Sequence, residues 1–289
     1  MFYNRTVDLL VFEHALLRMA SKHTQSCDLD SISVYPLTRG SPICLPSGFR
    51  HLAQEKFIRL YEVIPKYGNT EKRPTRRAEV AGQLLFSAED RLKFLRRHLS
   101  REYIQLALYR FALETCFGLP VYHQDPKISI PSGNVLVDLG AGGINSNPTV
   151  GKLLSRSHTL VIGADLYHSW SCLPSSPIIR LTCDLVKQRT IPLRNECADF
   201  IVSISFIQWL TASTGDKSTI LNAFLSEVAR LLRSGGQCVL QFYPQSGADI
   251  NLVCHKLTHV HPHLSGCRII SRPLLNRGLK VFIYARRID

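Results

Sequence analysis

Several common signatures are missing from this sequence of 289 residues, and each absence excludes a class of protein. The nine cysteines are scattered and contain no Cys-x-x-Cys pair, which argues against a disulfide framework or zinc ribbon and favours reduced thiols. No stretch approaches the ~20 apolar residues that a membrane-spanning helix needs. No Ser-His-Asp order or Cys-His pattern stands out, so the sequence gives no support for hydrolase chemistry.

Two nucleotide-binding loops are also missing. A dinucleotide fingerprint starting at Gly140 requires a third glycine at the position of Asn145, and no triphosphate loop ending in Gly-Lys-Ser/Thr is present. Histidines at 255, 259, 261 and 263 lack an acid or cysteine in matching geometry, so we expect exposed histidines and no metal site.

Basic residues are abundant. Thirty-five Lys and Arg against 22 Asp and Glu give a net charge of +13 and a pI of about 9.5, which favours a polyanionic partner. Residues 72–101 alone carry a net +6. This segment is either a phosphate-binding face or a solvated helix surface.

The order of patterns predicts three regions: an extension at 1–72, a basic helical segment at 73–130 that packs on the domain that follows it, and an α/β domain at 131–289. A helix is predicted from Ser100 to Cys116. The last region predicts strands at 134–138, 159–163, 178–181, 199–205, 237–242, 267–272 and 279–285, with helices at 221–232 and 249–259. The final two strands are predicted to form an antiparallel pair.

The central stretch is 134–143, an apolar strand that runs into Asp138 and then into a turn with Gly140, Gly142 and Gly143. Asn147 and Pro148 predict the start of a helix just beyond. Such a turn lets backbone N–H groups approach a ligand closely. Its Asp-x-Gly-x-Gly pattern is similar to the first motif of S-adenosylmethionine-dependent methyltransferases.

Acidic residues follow the next two predicted strands. Asp165 stands at the carboxyl end of the second strand, where a carboxylate can accept from both hydroxyls of a ribose. Asp184, flanked by Cys183 and Leu185, can accept from the exocyclic amine of adenine. The alternatives are a turn aspartate for Asp165 and a cap for Asp184.

Polar and aromatic residues follow the fourth and fifth strands. The run from Ser203 through Phe206 to Trp209 suits a crevice wall on which a flat base stacks, and Tyr243 with Pro244 is predicted to form the opposite wall. The alternative for Trp209 is a core residue under the sheet.

These motifs together resemble one family, the eukaryotic small-subunit (18S) rRNA guanine-N7 methyltransferases that act in ribosome assembly. The segments that carry the resemblance are Ser203-Ile-Ser-Phe-Ile-Gln-Trp-Leu210, Val239-Leu-Gln-Phe-Tyr-Pro244, Asp138-Leu-Gly-Ala-Gly142, Asp165, Asp184-Leu185, and Ile104-Gln105 with Ala112-Leu-Glu114. It extends from about Arg73 to the last strands. One departure is Gly143-Ile144, where the family has Thr-Gly.

The resemblance implies a Rossmann-like class I fold with seven strands, the last one antiparallel, and S-adenosylmethionine as cofactor. The residues that match the cofactor motifs are Asp138, Gly140, Gly142, Gly143, Asp165, Asp184, Leu185 and Ser203. Those expected to position the guanine are Ser203, Trp209 and Tyr243, with no general base because N7 has an available lone pair.

The resemblance also implies partners. One is small-subunit rRNA. The other is a small zinc-binding activator subunit that would add a strand to the sheet beside the edge strand Ile178–Leu181. The expected location of the protein is the nucleus, nucleolus and cytoplasm. The alternative is that the N-terminal extension covers this edge. Two other functions stay open: an rRNA-binding assembly factor without turnover, and a methyltransferase of tRNA or protein.

Overall fold

A computed structural model describes residues 32–38, 41–49, 102–122, 125–142, 149–154, 160–166, 178–186, 190–211, 216–244, 246–260, 263–274 and 277–288. The segments at 73–101 and 143–148 lie outside these ranges. The predictions for the basic segment and for Gly143, Asn147 and Pro148 therefore concern residues that the structure does not describe.

Strands and helices alternate along the described chain. The strands are β1 (Ser33–Pro36), β2 (Val121–Tyr122), β3 (Asp125–Ile128), β4 (Val135–Leu139), β5 (Leu160–Asp165), β6 (Ile178–Thr182), β7 (Ala198–Ile204), β8 (Leu232–Phe242), β9 (Leu264–Ser271) and β10 (Lys280–Arg287). The helices are α1 (Glu102–Arg110), α2 (Thr149–Leu153), α3 (Ile207–Thr211), α4 (Lys217–Leu231) and α5 (Gly247–Val260). A π-helical turn, Phe111–Cys116, continues α1.

Eight strands form one sheet in the order β6-β5-β4-β7-β8-β10-β9-β1. The strands β4, β5, β6, β7 and β8 are parallel to one another, whereas β10 is antiparallel to both β8 and β9. The predicted Rossmann-like α/β fold is confirmed, including its antiparallel last strand. The prediction of seven strands was one short, because β1 from the N-terminal extension pairs with β9.

Alternate side chains of the strands are buried on opposite faces of the sheet, as expected for a sheet covered by helices. Leu136, Val161 and Phe200 point into a core that includes α1, while Val137, Ile162 and Ile201 point into a second core with α4 and α5. The two layers hold the carboxyl ends of β4, β5, β6, β7 and β8 along one edge of the sheet. We call this the carboxyl edge, and the opposite one the amino edge.

The beginning of β8 differs from its prediction. A helix was predicted to end at 232 and a strand to begin at 237, but β8 already begins at Leu232 and includes Ser234, Gly235 and Gly236. The pairing shifts register between Ala198 and Phe200 of β7, which is the signature of a β-bulge. A bulge accommodates the two glycines, so these turn-forming residues lie inside the strand and not before it.

The two outer strands of the sheet are covered differently. On one side, β1 hydrogen-bonds along β9. On the other side, β6 pairs with β5, no described strand lies beyond it, and Ile179 is 53% exposed. The described strand of the extension therefore lies across the sheet from the edge that it was suggested to cover. None of the described helices is long and apolar enough to cross a membrane.

Candidate functional site

The turn after β4 is left-handed at two glycines. Gly140 has φ +80° and Gly142 has φ +66°. A Cβ on Gly140 would lie 2.5 Å from the ring of Phe206, so a side chain is excluded by both backbone and space. The N–H groups of Gly140 and Ala141 donate to the carbonyl of Ala164 at 2.8 and 3.1 Å, which fixes the turn against the end of β5.

Asp165 at the end of β5 binds this turn directly. Its Oδ2 accepts the N–H of Gly142 at 2.9 Å, and its side chain is half-buried. Among the described residues, no atom lies within 4 Å of a Cβ placed on Gly142, so no described side chain covers this side of the turn. Gly142 and Asp165, which were predicted to touch the same ligand, are thus held together.

Asp184 follows β6, the next strand along the carboxyl edge. Its Oδ1 accepts the N–H of Val186 at 3.0 Å in a local turn, and Leu185 between them is buried. The N–H of Cys183 donates to the carbonyl of Asp165 at 3.0 Å. Burial, with the nearby charges of Asp165 and Asp184, raises the pKa of the Cys183 thiol to about 11. The carboxylates of Asp165 and Asp184 therefore both lie near the Cys183 thiol.

Asp138, the acid at the end of β4, is fully buried. The hydroxyl of Tyr109 from α1 lies 3.1 Å from Oδ1 and 2.9 Å from Oδ2. Burial raises the pKa of Asp138 to about 8; the hydrogen bond from Tyr109 opposes this rise and the charge of Asp165 adds to it. The carboxyl group is therefore mostly protonated at neutral pH. Its burial fits a role beneath the glycine turn better than the predicted direct contact with a cofactor.

Ser203 near the end of β7 is also fully buried. Its hydroxyl donates to the carbonyl of Leu139 at 2.7 Å and so ties the ends of β4 and β7 together. Ser203 was predicted both to contact the cofactor and to position the base. We infer instead that Ser203 aligns the strand ends, because its hydroxyl already donates a hydrogen bond inside the sheet.

Ser205, two residues further, has φ +59°, which is uncommon for a residue other than glycine. Its N–H donates to the carbonyl of Gln241 at 2.9 Å, and its hydroxyl lies 3.1 Å from Oε1 of Gln241. The side-chain amide of Gln105 in α1 donates to the same hydroxyl at 3.3 Å. The amide of Gln208 donates to the carbonyl of Ser205. Strained residues of this kind concentrate at functional sites.

The predicted aromatic walls are placed differently from one another. Phe206 packs between Gly140 and Phe224 of α4, with the two phenyl centroids 5.5 Å apart. Trp209 in α3 is half-buried. Tyr243 directly follows β8 at the carboxyl edge, is half-buried, and has the Nζ of Lys280 5.3 Å from its ring centroid. Trp209 and Tyr243 keep exposed surface for a ligand.

Tyr109, Gln105, Ser205 and Gln241 are the residues at this edge that were not predicted as site residues. Tyr109 and Gln105 both belong to α1, whose helical pattern was recognised. A helical pattern shows which residues are buried, but not which strand end they reach. Gln105, Ser205 and Gln241 all lie in segments that carry the resemblance to the family, and this resemblance was a signal that could have pointed to them.

The strand order, the left-handed turn after the first parallel strand and the acids after the next two define the class of fold. It is the Rossmann-like fold of class I S-adenosylmethionine-dependent methyltransferases.

Comparison with known proteins gives more particular likenesses. A protein of Dictyostelium discoideum named as a probable 18S rRNA (guanine-N(7))-methyltransferase is 30% identical over 95 residues, 32% of this chain and 32% of that protein. The match thus spans about a third of the length of this curated relative. No protein-family model matches the chain.

Two solved structures resemble the chain at low identity. A Burkholderia thailandensis 1,6-didemethyltoxoflavin-N1-methyltransferase with bound S-adenosylhomocysteine is 12% identical, covers 74% of this chain and 92% of its own, and has a TM-score of 0.45. A Haloferax volcanii complex of the Trm112 methyltransferase activator with a methyltransferase is 14% identical, with coverages of 67% and 94% and a TM-score of 0.43.

Proposed function

We propose that this protein is an S-adenosylmethionine-dependent methyltransferase that methylates N7 of a guanine in small-subunit rRNA. The observation that carries the methyltransferase assignment is the convergence of the Gly140–Gly142 turn, Asp165 and Asp184 at three neighbouring strand ends. The rRNA and the N7 position rest on the sequence resemblance and on the name of the Dictyostelium relative. Such a role places the protein in the nucleus, nucleolus and cytoplasm.

The residues present fit this cofactor. No described side chain covers Gly142, so a ligand can approach the backbone of the turn as closely as the missing side chain permits. Asp165 would accept from the ribose hydroxyls, and Asp184 from the adenine amine, beside the buried Leu185. Asp138 and Ser203 hold the strand ends from below. When bound, the cofactor supplies an electrophilic methyl group on a sulfonium.

The chain's own contribution to the reaction is positioning. N7 of guanine carries a lone pair at neutral pH, so no side chain has to remove a proton from it. Trp209 and Tyr243 offer flat surfaces on which the base can stack. Holding the nucleophile in line with the methyl group accounts for most of the rate enhancement that such a site requires.

Labelled methyl transfer tests this proposal directly. The protein is incubated with methyl-labelled S-adenosylmethionine and unmodified small-subunit rRNA, and N7-methylguanine is mapped by cleavage and primer extension. We expect one labelled guanine. A transcript with 7-deazaguanine at that position, which lacks the nitrogen, is the matched control and should stay unlabelled. Label on tRNA or protein instead would overturn the rRNA assignment, and binding without any transfer would indicate an inactive assembly factor.

The outer edge of β6 is the proposed site of a small zinc-binding activator subunit. An apolar edge strand favours addition of a strand from another chain. Here Ile179 is 53% exposed and Leu181 half-buried, and the described part of the N-terminal extension lies at the opposite edge.

Co-expression with the activator tests this edge. Ile179→Lys should abolish co-purification, because a charged side chain opposes strand pairing. Ile288→Lys is the matched control, since Ile288 is 51% exposed but lies outside β6. A soluble, active enzyme purified alone, with no gain on adding the activator, would rule the partner out.

The basic segment 72–101 is proposed to add RNA affinity. Replacing Arg73, Arg76, Arg96 and Arg97 by Gln should flatten the salt dependence of binding to single-stranded RNA by up to ~3 units of slope. Unchanged affinity and slope would show that this segment is only a solvated surface.

A further inference from the structure

A second concentration of positive charge lies in the described C-terminal part of the chain. Residues 263–288 contain six Lys and Arg and no Asp or Glu. Three of these bases, Arg272, Arg277 and Lys280, fall between the end of β9 and the start of β10. Arg272 and Arg277 are exposed and Lys280 is half-buried. We call these three residues the basic rim.

The pairing of β10 places the basic rim at the carboxyl edge. Val281 pairs with Phe242, the last residue of β8, so the preceding Lys280 lies beside Tyr243. Lys280 also pairs with Ser271 at the end of β9, which brings Arg272 to the same edge. The rim is therefore on the side of the sheet that carries the glycine turn, Asp165 and Asp184. The other three bases, by contrast, include Arg286 and Arg287 at the amino edge.

Two of the rim cations lie against aromatic rings, one on Tyr243 and one on Tyr103. The Nζ of Lys280 is 5.3 Å from the ring centroid of Tyr243. The guanidinium of Arg277 is 5.8 Å from the ring centroid of Tyr103 in α1 and also donates to its hydroxyl. Tyr103 is two residues from Gln105, whose amide reaches Ser205 at the end of β7. A cation–π contact holds a cation in place without cancelling its charge.

We propose that the basic rim binds the phosphates of single-stranded RNA next to the nucleotide that enters the site. This inference rests on the proposed methyltransferase function, to which it adds the surface that grips the acceptor strand. A base that is to be methylated at N7 has to leave its stack, and the flanking backbone then needs a positively charged track. Alternating cations and aromatic rings are the combination that single-stranded nucleic acid binds.

The test compares two double variants of the full chain. Arg277→Gln with Lys280→Gln removes two charges from the rim. Arg194→Gln with Arg286→Gln removes two charges of matched exposure at the amino edge. Binding of a single-stranded RNA of roughly 20 nucleotides is measured by fluorescence anisotropy between about 50 and about 200 mM salt. Calorimetry with S-adenosylmethionine and thermal melting accompany each variant.

Each phosphate contact with a single strand contributes about 0.7 to the slope of log K against log salt. The rim variant should therefore have a slope flatter by about 1.4 than that of the wild type. Its loss of affinity relative to the wild type should be about sevenfold smaller at about 200 mM salt than at about 50 mM. The amino-edge variant should keep the wild-type slope. Arg277→Lys with Lys280→Arg, which preserves both charges, should keep it as well.

Equal flattening in both double variants would overturn the proposal, because only the overall charge would then matter. Unchanged slopes in both would overturn it too. Cofactor binding separates this proposal from the proposed function. Suppose that the wild-type protein does not bind S-adenosylmethionine, while RNA affinity falls in the rim variant alone. The methyltransferase assignment would then be wrong, and the rim would still be an RNA-binding surface.

Discussion

The two edges of the sheet each bury an aspartate, and the surroundings of these aspartates differ. At the amino edge, Asp199 is 5% exposed, accepts the N–H of Val135 at 2.8 Å and forms an ion pair with Arg233. At the carboxyl edge, Asp138 is 0% exposed, and the neutral hydroxyl of Tyr109 is its partner. One charge is compensated by an opposite charge, and the other is suppressed by burial, which raises the pKa of Asp138 to about 8.

The same contrast extends to the neighbouring residues. At the amino edge, Arg230 binds Glu227 at 2.7 Å and the carbonyls of Ile191 and Leu193 at 2.8 Å, while Arg287 pairs with Glu196. Left-handed residues occur at both edges, so backbone strain does not distinguish them: Gly133, Glu196 and Gly235 lie at the amino edge, and Gly140, Gly142 and Ser205 at the carboxyl edge. The difference lies in the acids. Paired charges stabilise the amino edge, whereas the carboxyl edge holds Asp138 with its raised pKa. Shifted pKa values are typical of functional sites, so this difference favours the carboxyl edge as the functional one.

Gly140→Ala should have the largest effect. The new Cβ would lie 2.5 Å from the Phe206 ring, and the alanine would have to adopt φ +80°. We therefore expect a loss of about 2–5 kcal/mol in the free energy of unfolding. Gly133→Ala, at the turn before β4, is the control: it has φ +83° but no atom within 4 Å, and should lose about 1–2 kcal/mol. Urea unfolding measures both, and equal losses would show that the contact with Phe206 is unimportant.

Asp165→Ala should come next. Loss of its charge-assisted hydrogen bonds should cost about 2–3 kcal/mol, a weakening of S-adenosylmethionine binding by roughly 30- to 150-fold. Equilibrium dialysis with labelled cofactor measures this. Asp165→Asn keeps an acceptor for the N–H of Gly142 and should bind better than the alanine variant. Glu196→Ala at the amino edge should bind like the wild type. An unchanged dissociation constant in folded Asp165→Ala would contradict the assignment.

The Asp138→Asn variant should change how stability depends on pH. The pKa of Asp138 is raised from 3.8 to about 8, so the stability contributed by its neutral carboxyl is fully present below pH 3.8 and is lost as pH rises through about 8. The asparagine variant, which cannot ionise, should gain on the wild type by up to about 1.4 kcal/mol per pH unit in this window.

Urea unfolding at several pH values measures the difference between the two proteins. Tyr109→Phe removes the hydrogen bond that lowers the pKa of Asp138, so its loss of stability should extend to higher pH than in the wild type. Parallel stability curves for wild type and Asp138→Asn would show that Asp138 is ionised throughout.

Ser203→Ala should have the smallest effect. It removes the 2.7 Å hydrogen bond to Leu139 and leaves a buried carbonyl without that donor, at a cost of about 1 kcal/mol. If Ser203 only aligns the strand ends, the Michaelis constants for cofactor and RNA should stay near those of the wild type. A large rise in either one without loss of stability would restore its predicted role in the site.

Local patterns were sufficient to predict much of this molecule. The alternation of apolar residues and the turn-forming glycines predicted the strands from β4 to β7 within one residue at most ends, because such preferences act over a few residues. The acids Asp165 and Asp184 could be placed at one edge, since the carboxyl ends of parallel strands lie together. Whether they touch the cofactor is still a prediction.

Contacts between distant residues could not be predicted. Tyr109 meets Asp138 across 29 residues, and Gln105 meets Ser205 across 100, so no local pattern connects them. The strand β1 is four residues long and pairs with β9, more than 230 positions away. The glycines of the β8 bulge resemble those of a turn, and only pairing with β7 distinguishes the two.

Calorimetric titration of the wild-type protein with S-adenosylmethionine, alone and with the activator subunit, tests whether the carboxyl edge is a cofactor site. We expect saturable binding at one site per chain, weakened in Asp165→Ala and unchanged in Glu196→Ala. Absence of saturable binding under both conditions, in protein that melts cooperatively, would contradict it and show that the acids and glycines of the carboxyl edge do not form a cofactor site.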